Sequence, residues 1–356
     1  MIIERSARWT AAALAVAAAF AVGTAQAQQP RVNWKMQSAF GSNLPHLGPP
    51  GQRFQKDVED MTDGRFVIKF HEPGALVPTL ECFDAAAKGS VEACWTTPGF
   101  HTGKYQALAF FTTVPFGPQL GEFMAWKIHG NGNKLEQEIY AKHGLLSIDS
   151  YAIGPETSGW FRREIKSLEQ LKGLKMRFFG LGAKVMEKLG VSTQLLAPAD
   201  IFPALERGVI DATEFSMPTM DIKQGFHQVA KFNYFPGWHQ QVSVSHILMN
   251  KKAYDALPKS YQKMIQMASS HQILYNYTES EAANPEAMLE LTSKYGVNVK
   301  RWPDDQIAVF EKMWLEVLKE ESAKDALFKR IADDYLAFRA KYKIWGAAQS
   351  IKPTYQ

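Results

Sequence analysis

The sequence predicts an α/β protein of two lobes joined by strands. Three observations predict it. Short alternating apolar stretches interleave with helical ones through the first 100 residues, and the same rhythm resumes at "GLKMRFF". The segment between the two blocks, "HGLLSIDSYAIGPETSGWF", holds no low-complexity linker that would let two domains hang separately. With 356 residues, 46% of them hydrophobic, the chain can bury two cores.

The elements follow in order. "VNWKMQSAF" alternates as a strand, and "GQRFQKDVEDMTDG" puts Phe54, Val58 and Met61 at helical spacing before Gly64 ends the run. "RFVIKF" reads as strand, "TLECFDAAAKG" as helix and "SVEACWT" as strand, which gives a largely parallel first sheet. In the second block "GLKMRFF" is a strand whose Leu174, Met176 and Phe178 share one face and whose Lys175, Arg177 and Phe179 share the other. Helix "AKVMEKLG" follows, then a helix opening at an Asp200 N-cap with Pro203 in its first turn, then strand "VIDATEF". "VSVSHILMN" alternates again. The stretch from Lys259 to Gly296 reads as a long helix that Pro285 should kink or divide, and a charged amphipathic helix is expected over residues 304–343.

Residues 1–27 differ from the rest. Arg5 and Arg8 precede "AAALAVAAAFAVG", and the stretch closes on "AQA" at Ala25 to Ala27, the pattern of a cleaved secretory signal with the mature chain starting near Gln28. No later run of 18 or more apolar residues follows. An oxidising compartment permits a bond between the two cysteines, Cys82 and Cys94, but their places on a helix and the next strand favour two unpaired, buried residues.

Composition and motifs exclude several functions. The formal charge of +4 is spread over 40 basic and 36 acidic residues without a basic block, which argues against nucleic acid. There is no GxSxG elbow, HExxH, P-loop or CxxC pair. His71-Glu72 lacks a second histidine, and His246 on an alternating strand reads as a satisfied histidine rather than a ligand. "FFGLGAKV" resembles a dinucleotide turn, but Val185 stands where the third glycine belongs.

The order "PGALVPTLECFDAAAKGSVE", "VPFG", "SGWFRREIKSLEQLKGLKMR", "LAPADIFPALERGVIDATEF", "YFPGWHQQ" and "NKKAYDALP" covers nearly the whole mature chain. It resembles the extracytoplasmic solute-binding subunits of tripartite ATP-independent periplasmic (TRAP) transporters, the DctP family, and within them the branch for 2-oxo or 2-hydroxy monocarboxylates. The resemblance implies a periplasmic, type II-like clamshell with a long helix spanning both lobes, no catalysis, and delivery of a small organic acid to small and large membrane permease components. A homodimer is among the assemblies it allows. The implied division is a signal at 1–27, lobe I at 31–152, lobe II at 153–242, a return strand and spanning helix at 243–303, and a C-terminal helical segment at 304–356.

The same resemblance places the ligand. Arg177 occupies the "LKMR" position that pairs with a substrate carboxylate, and a planar guanidinium suits that role through two parallel hydrogen bonds. A cation is expected beside it, held by Glu214 of "DATEF", the following Phe215, and Glu156, where the branch has a glutamine. Gln240 stands where the branch has an acid, so the acid has moved while the charge count is kept. Glu156, Glu214 and a bound carboxylate against one arginine leave a negative excess, for which calcium suits an all-oxygen site and sodium suits a site with fewer charged ligands. Phe100 stands where the branch has a tyrosine and Phe215 where it has a tryptophan. With Phe179 they imply an apolar wall, and Trp160 belongs to the same motif set. The rival readings are the same clamshell with a larger aromatic or aliphatic acid or a zwitterion, and an exported α/β enzyme.

Overall fold

The computed structural model describes residues 29–349, so the expected signal segment and the last residues of the C-terminal segment lie outside the described residues. Eleven strands are described among them: β1 (Val32–Ser38), β2 (Phe66–His71), β3 (Ala93–Thr96), β4 (Leu145–Ile153), β5 (Gly159–Phe161), β6 (Lys175–Arg177), β7 (Ser192–Gln194), β8 (Ala212–Thr213), β9 (Phe232–Phe235), β10 (Ser243–Asn250) and β11 (Asn298–Arg301). They form two sheets, ordered β2-β1-β3-β10-β4 and β11-β9-β5-β8-β6-β7.

In the first sheet β1 pairs in parallel with β2 and β3, as strands linked by crossover helices do, whereas β10 runs antiparallel to β3 and β4. The sheets are therefore mixed. Strand β4 leaves the first lobe and leads through residues 154–158 into β5 of the second. Strand β10 returns after residues 236–242, so two crossings join the lobes. Strand β11 adds to the edge of the second sheet beside β9.

Helix Lys259–Ser293 has 35 residues, a rod of about 50 Å at 1.5 Å per residue. It is tied to the first lobe where Arg53 donates to Gln272 and Asn276, and where Asn276 donates to the Ala152 carbonyl. It is tied to the second where Thr219 donates to Asn284. Of the two outcomes expected at Pro285, a kink or a division, the division does not occur. Pro285 lies on the exposed side, where solvent can take the carbonyl its ring leaves without a donor. Among the described residues no helix is long and apolar enough to cross a membrane.

Three further expectations change. Cys82 and Cys94 are buried but bonded to each other, because the turn between helix and strand brings their Cα atoms to 6.1 Å, within reach of a bridge. The helix expected to open at Asp200 runs Pro198–Glu206 with Ala197 as its cap; Asp200 falls in its first turn, still favourable beside the helix dipole, and Pro203 lies inside. The C-terminal helix is two, Asp304–Lys324 and Ala326–Ala348, because the Asp325 carboxylate accepts from Leu327 N and Phe328 N and starts a second helix.

Candidate functional site: a charged cleft between the lobes

Arg177 ends β6, in register with Thr213 of the parallel neighbour β8. That pairing sets Arg177 beside the residue after β8: Nη1 donates to the Glu214 carbonyl at 2.7 Å and to Glu214 Oε2 at 2.9 Å. The same Oε2 accepts from Phe179 N at 2.9 Å. Arg177 is 2% exposed, and its Nε is buried with no partner among the described residues. The guanidinium also lies 5.8 and 5.5 Å from the ring centres of Phe179 and Phe215, so it is held between two aromatic faces.

Both crossings deliver the other polar groups. Glu156 comes from the first, His239 and Gln240 from the second, and the segments are joined by Glu156 N donating to the Gln240 carbonyl. Gly237 permits that approach, since a Cβ there would stand 2.1 Å from the Glu156 carbonyl oxygen. Ser216 Oγ donates to Glu156 Oε1 at 3.0 Å. The His239 Nε2 lies between the two carboxylates, 3.7 Å from Glu156 Oε2 and 3.6 Å from Glu214 Oε1.

These groups set one another's acidity. Burial pushes the Glu156 carboxyl up to about 7 against the pull of His239. Burial also pushes Glu214 up, but Arg177, His239 and the Phe179 N–H together outweigh it and hold the group below the ordinary carboxylate range. Burial disfavours a charged imidazole at His239, yet the two carboxylates prevail and raise it to about 9.

The groups face a cavity lined from the second lobe and crossings by Glu156, Arg177, Phe179, Phe215, Ser216 and Gln240. From the first lobe come Phe40, Leu47, Thr97, Phe100, Ser243 and Ser245. The lobes touch directly here: the Phe179 ring meets Phe100 edge to face at 5.5 Å, and a Cβ on Gly99 would collide with that ring at 2.1 Å. Only about 30 Å³ remains for the centre of a water-sized sphere, so the cleft is nearly shut.

Of the residues singled out in the sequence, Arg177, Glu156, Phe179, Phe100, Phe215 and Gln240 line this cavity. Glu214 stands immediately behind Arg177. Trp160 does not line the cavity. Its indole is fully buried and donates to Asp221 Oδ2 at 2.7 Å. Sequence reasoning missed His239, Ser216 and Asp221. His239 was in view within "PGWHQQ", but only the return crossing aims it at the carboxylates.

The donor set fits a cation. Glu156 Oε2, Glu214 Oε1, Gln240 Oε1 and His239 Nε2 are buried without partners, and one atom each from Glu156, Glu214 and His239 can be chosen within 4.8 Å of one another.

Buried, unmatched charge between two hinged α/β lobes defines a clamshell solute-binding protein. The chain belongs to the bacterial extracellular solute-binding protein family 7, DctP, the solute-binding subunits of TRAP transporters; residues 44–325 match that family. It is 36% identical over 327 residues to a monocarboxylate 2-oxoacid-binding periplasmic protein of Nostoc sp., covering 92% of this chain and 89% of the relative. Three crystal structures of TRAP solute-binding proteins share the fold. One from Bordetella bronchiseptica, a dimer with copurified calcium and picolinate in one site, has 33% identity and a TM-score of 0.87 over 90% of this chain and 95% of that one. One from Pseudoalteromonas atlantica with sodium and pyruvate has 31% identity and a TM-score of 0.85 over 90% and 100%. One from Colwellia psychrerythraea with calcium and pyruvate has 31% and 0.85 over 90% and 97%. The chain is thus a transport protein, and the reading as an exported enzyme falls.

Proposed function

We propose that this protein captures a small 2-oxo or 2-hydroxy monocarboxylate in the periplasm, together with one cation, and hands both lobes' cargo to the TRAP permease subunits. The observation that carries the reading is the buried Arg177, whose Nη1 is committed to Glu214 while Nε stays unpartnered at the closed cavity. A carboxylate on that open side replaces lost hydration with charge-assisted hydrogen bonds. Glu156, Glu214 and Gln240 would hold the cation, which supplies the positive charge the carboxylates lack. The relatives carrying calcium or sodium with pyruvate support this choice. With the His239 imidazole charged, two carboxylates and a bound acid face two positive groups, so one further positive charge balances the site; with it neutral, two are needed. Sodium meets the first case and calcium the second.

Small size supports the monocarboxylate, because the near-shut cavity has little room. A compact aromatic acid is the second reading, favoured by the rings of Phe100, Phe179 and Phe215 and by the picolinate in the Bordetella relative. The charged amino terminus, with Arg5 and Arg8 before its apolar run, supports export by a cleaved signal.

Titration calorimetry of the chelated, dialysed protein tests this. Pyruvate, 2-oxobutanoate, lactate and picolinate are titrated with calcium, with sodium alone and with neither. Binding of a 2-oxo or 2-hydroxy acid that tightens with a cation is expected. Failure of every one of these acids to bind under any condition would sink the reading.

A further inference from the structure

Asp221 lies in helix Pro218–Gln224, behind the cavity wall, and is fully buried. Three donors converge on its carboxyl: Trp160 Nε1 to Oδ2 at 2.7 Å, Thr157 Oγ1 to Oδ2 at 3.5 Å, and Ser216 N to Oδ1 at 3.2 Å. No basic side chain forms an ion pair with it among the described residues; the ionisable neighbours that act on it, Glu156 and Glu214, carry the same sign. A buried acid set beside like charges costs stability, and an apolar residue of similar volume would serve the core better. Its presence therefore asks for a role at the site.

The bonds supply one. Asp221 clamps two segments, that of Thr157 beside Glu156 and that of Ser216, and Thr157 N also donates to the Ser216 carbonyl at 2.9 Å. Ser216, so held, donates through Oγ to Glu156 Oε1. That bond occupies one oxygen of Glu156 and leaves the other, Oε2, bare and turned toward His239 Nε2 and Glu214 Oε1.

We propose that Asp221 is a positioning residue for the cation site: through Ser216 it decides which oxygen of Glu156 is offered to the ion and keeps that carboxylate from turning. The inference rests on the acid-plus-cation reading above. It also explains why Trp160, away from the cavity, belongs with the site: its indole fixes Asp221.

Calcium is titrated into chelated protein at saturating pyruvate, and pyruvate at saturating calcium, for the wild type, Asp221→Asn, Ser216→Ala and the double variant, with melting temperature recorded for each; sodium replaces calcium if the wild type answers only to sodium. An outer partner of a metal ligand is worth roughly 10- to 100-fold in metal affinity. Each single variant should therefore raise the calcium needed by at least about 10-fold, and in Asp221→Asn, whose side chain lies outside the cavity, pyruvate affinity at saturating calcium should stay within about 3-fold of wild type. The double variant should do no worse than the more affected single one, because both act along one path. A loss of pyruvate affinity in Asp221→Asn that is the same at every calcium concentration, unchanged calcium need, or additive effects in the double variant would each overturn the proposal. Ser216→Ala keeps the test open should Asp221→Asn fail to fold. Wild-type protein that binds pyruvate without regard to either cation overturns the cation reading itself, a result seen before any variant is made.

Discussion

Two clusters of buried charge lie in this molecule, one in the core of the first lobe and one at the cleft. In the first, Lys127 Nζ donates to Glu136 Oε2 and Asp149 Oδ1, both at 2.7 Å, and Glu136 Oε1 lies 3.1 Å from His246 Nδ1. Among the described residues it leaves two buried side-chain atoms without partners, Asp149 Oδ2 and His246 Nε2. The cleft cluster, counted with Gln240, leaves six: Arg177 Nε, Glu156 Oε2, Glu214 Oε1, Gln240 Oε1 and both His239 nitrogens. Burial is similar in the two, Asp149 alone being only partly buried. What differs is satisfaction within the protein: the first cluster pairs most of its polar atoms, whereas the second leaves most of them to the proposed acid and cation.

Breaking each cluster should therefore give opposite results. Lys127→Met leaves two carboxylates buried without their cation and should cost about 3–5 kcal/mol of stability in urea unfolding, with ligand affinity of the folded fraction unchanged. Arg177→Ala should instead weaken acid binding by about 2–5 kcal/mol in calorimetry, and an unchanged affinity would remove it from the site. Reducing the Cys82–Cys94 bond, which closes a short loop in the first lobe, should lower stability by about 3 kcal/mol and leave affinity alone. Returning the acid to its family position with Glu156→Gln/Gln240→Glu should change the calcium-to-sodium preference by about 10-fold while total charge stays constant; an unaltered preference would mean the two positions are equivalent.

The smallest effect is one of pH. Burial pushes Glu136 up, but Lys127 and His246 together outweigh it and hold the carboxyl below its ordinary value. A depressed carboxyl stabilises the fold above the unfolded value and loses that stabilisation as pH falls through the folded one, so denaturation midpoints should decline from about pH 4.5 downward. That decline should shrink in Lys127→Met, which lacks the cation responsible.

Much of the candidate site was legible through the family resemblance. The "LKMR" and "DATEF" stretches singled out Arg177 and Glu214, and the two meet at hydrogen-bonding distance. His246, expected to be a satisfied histidine, is buried with Nδ1 against Glu136 but with Nε2 lacking a partner among the described residues. The missed residues are those whose meaning comes from the far side of the fold. His239 faces the carboxylates only because the return crossing lies beside the first, and Asp221 is an ordinary helix residue until Trp160 and Ser216 close over it. The cysteine bond was misjudged for the same reason: a distance of 6.1 Å between two Cα atoms depends on how a helix sits on its neighbouring strand. Pro285 does not divide its helix, since anchoring to both lobes outweighs a single lost backbone bond.

Helix Lys259–Ser293 grips the first lobe at Gln272 and Asn276 and the second at Asn284. A stiff rod fastened at two places cannot follow both halves when they swing apart. Either one fastening slips or the rod flexes between them, close to the turn where Pro285 has already removed a backbone bond. Any change in the angle between the lobes would therefore load one of these fastenings or bend the rod between them.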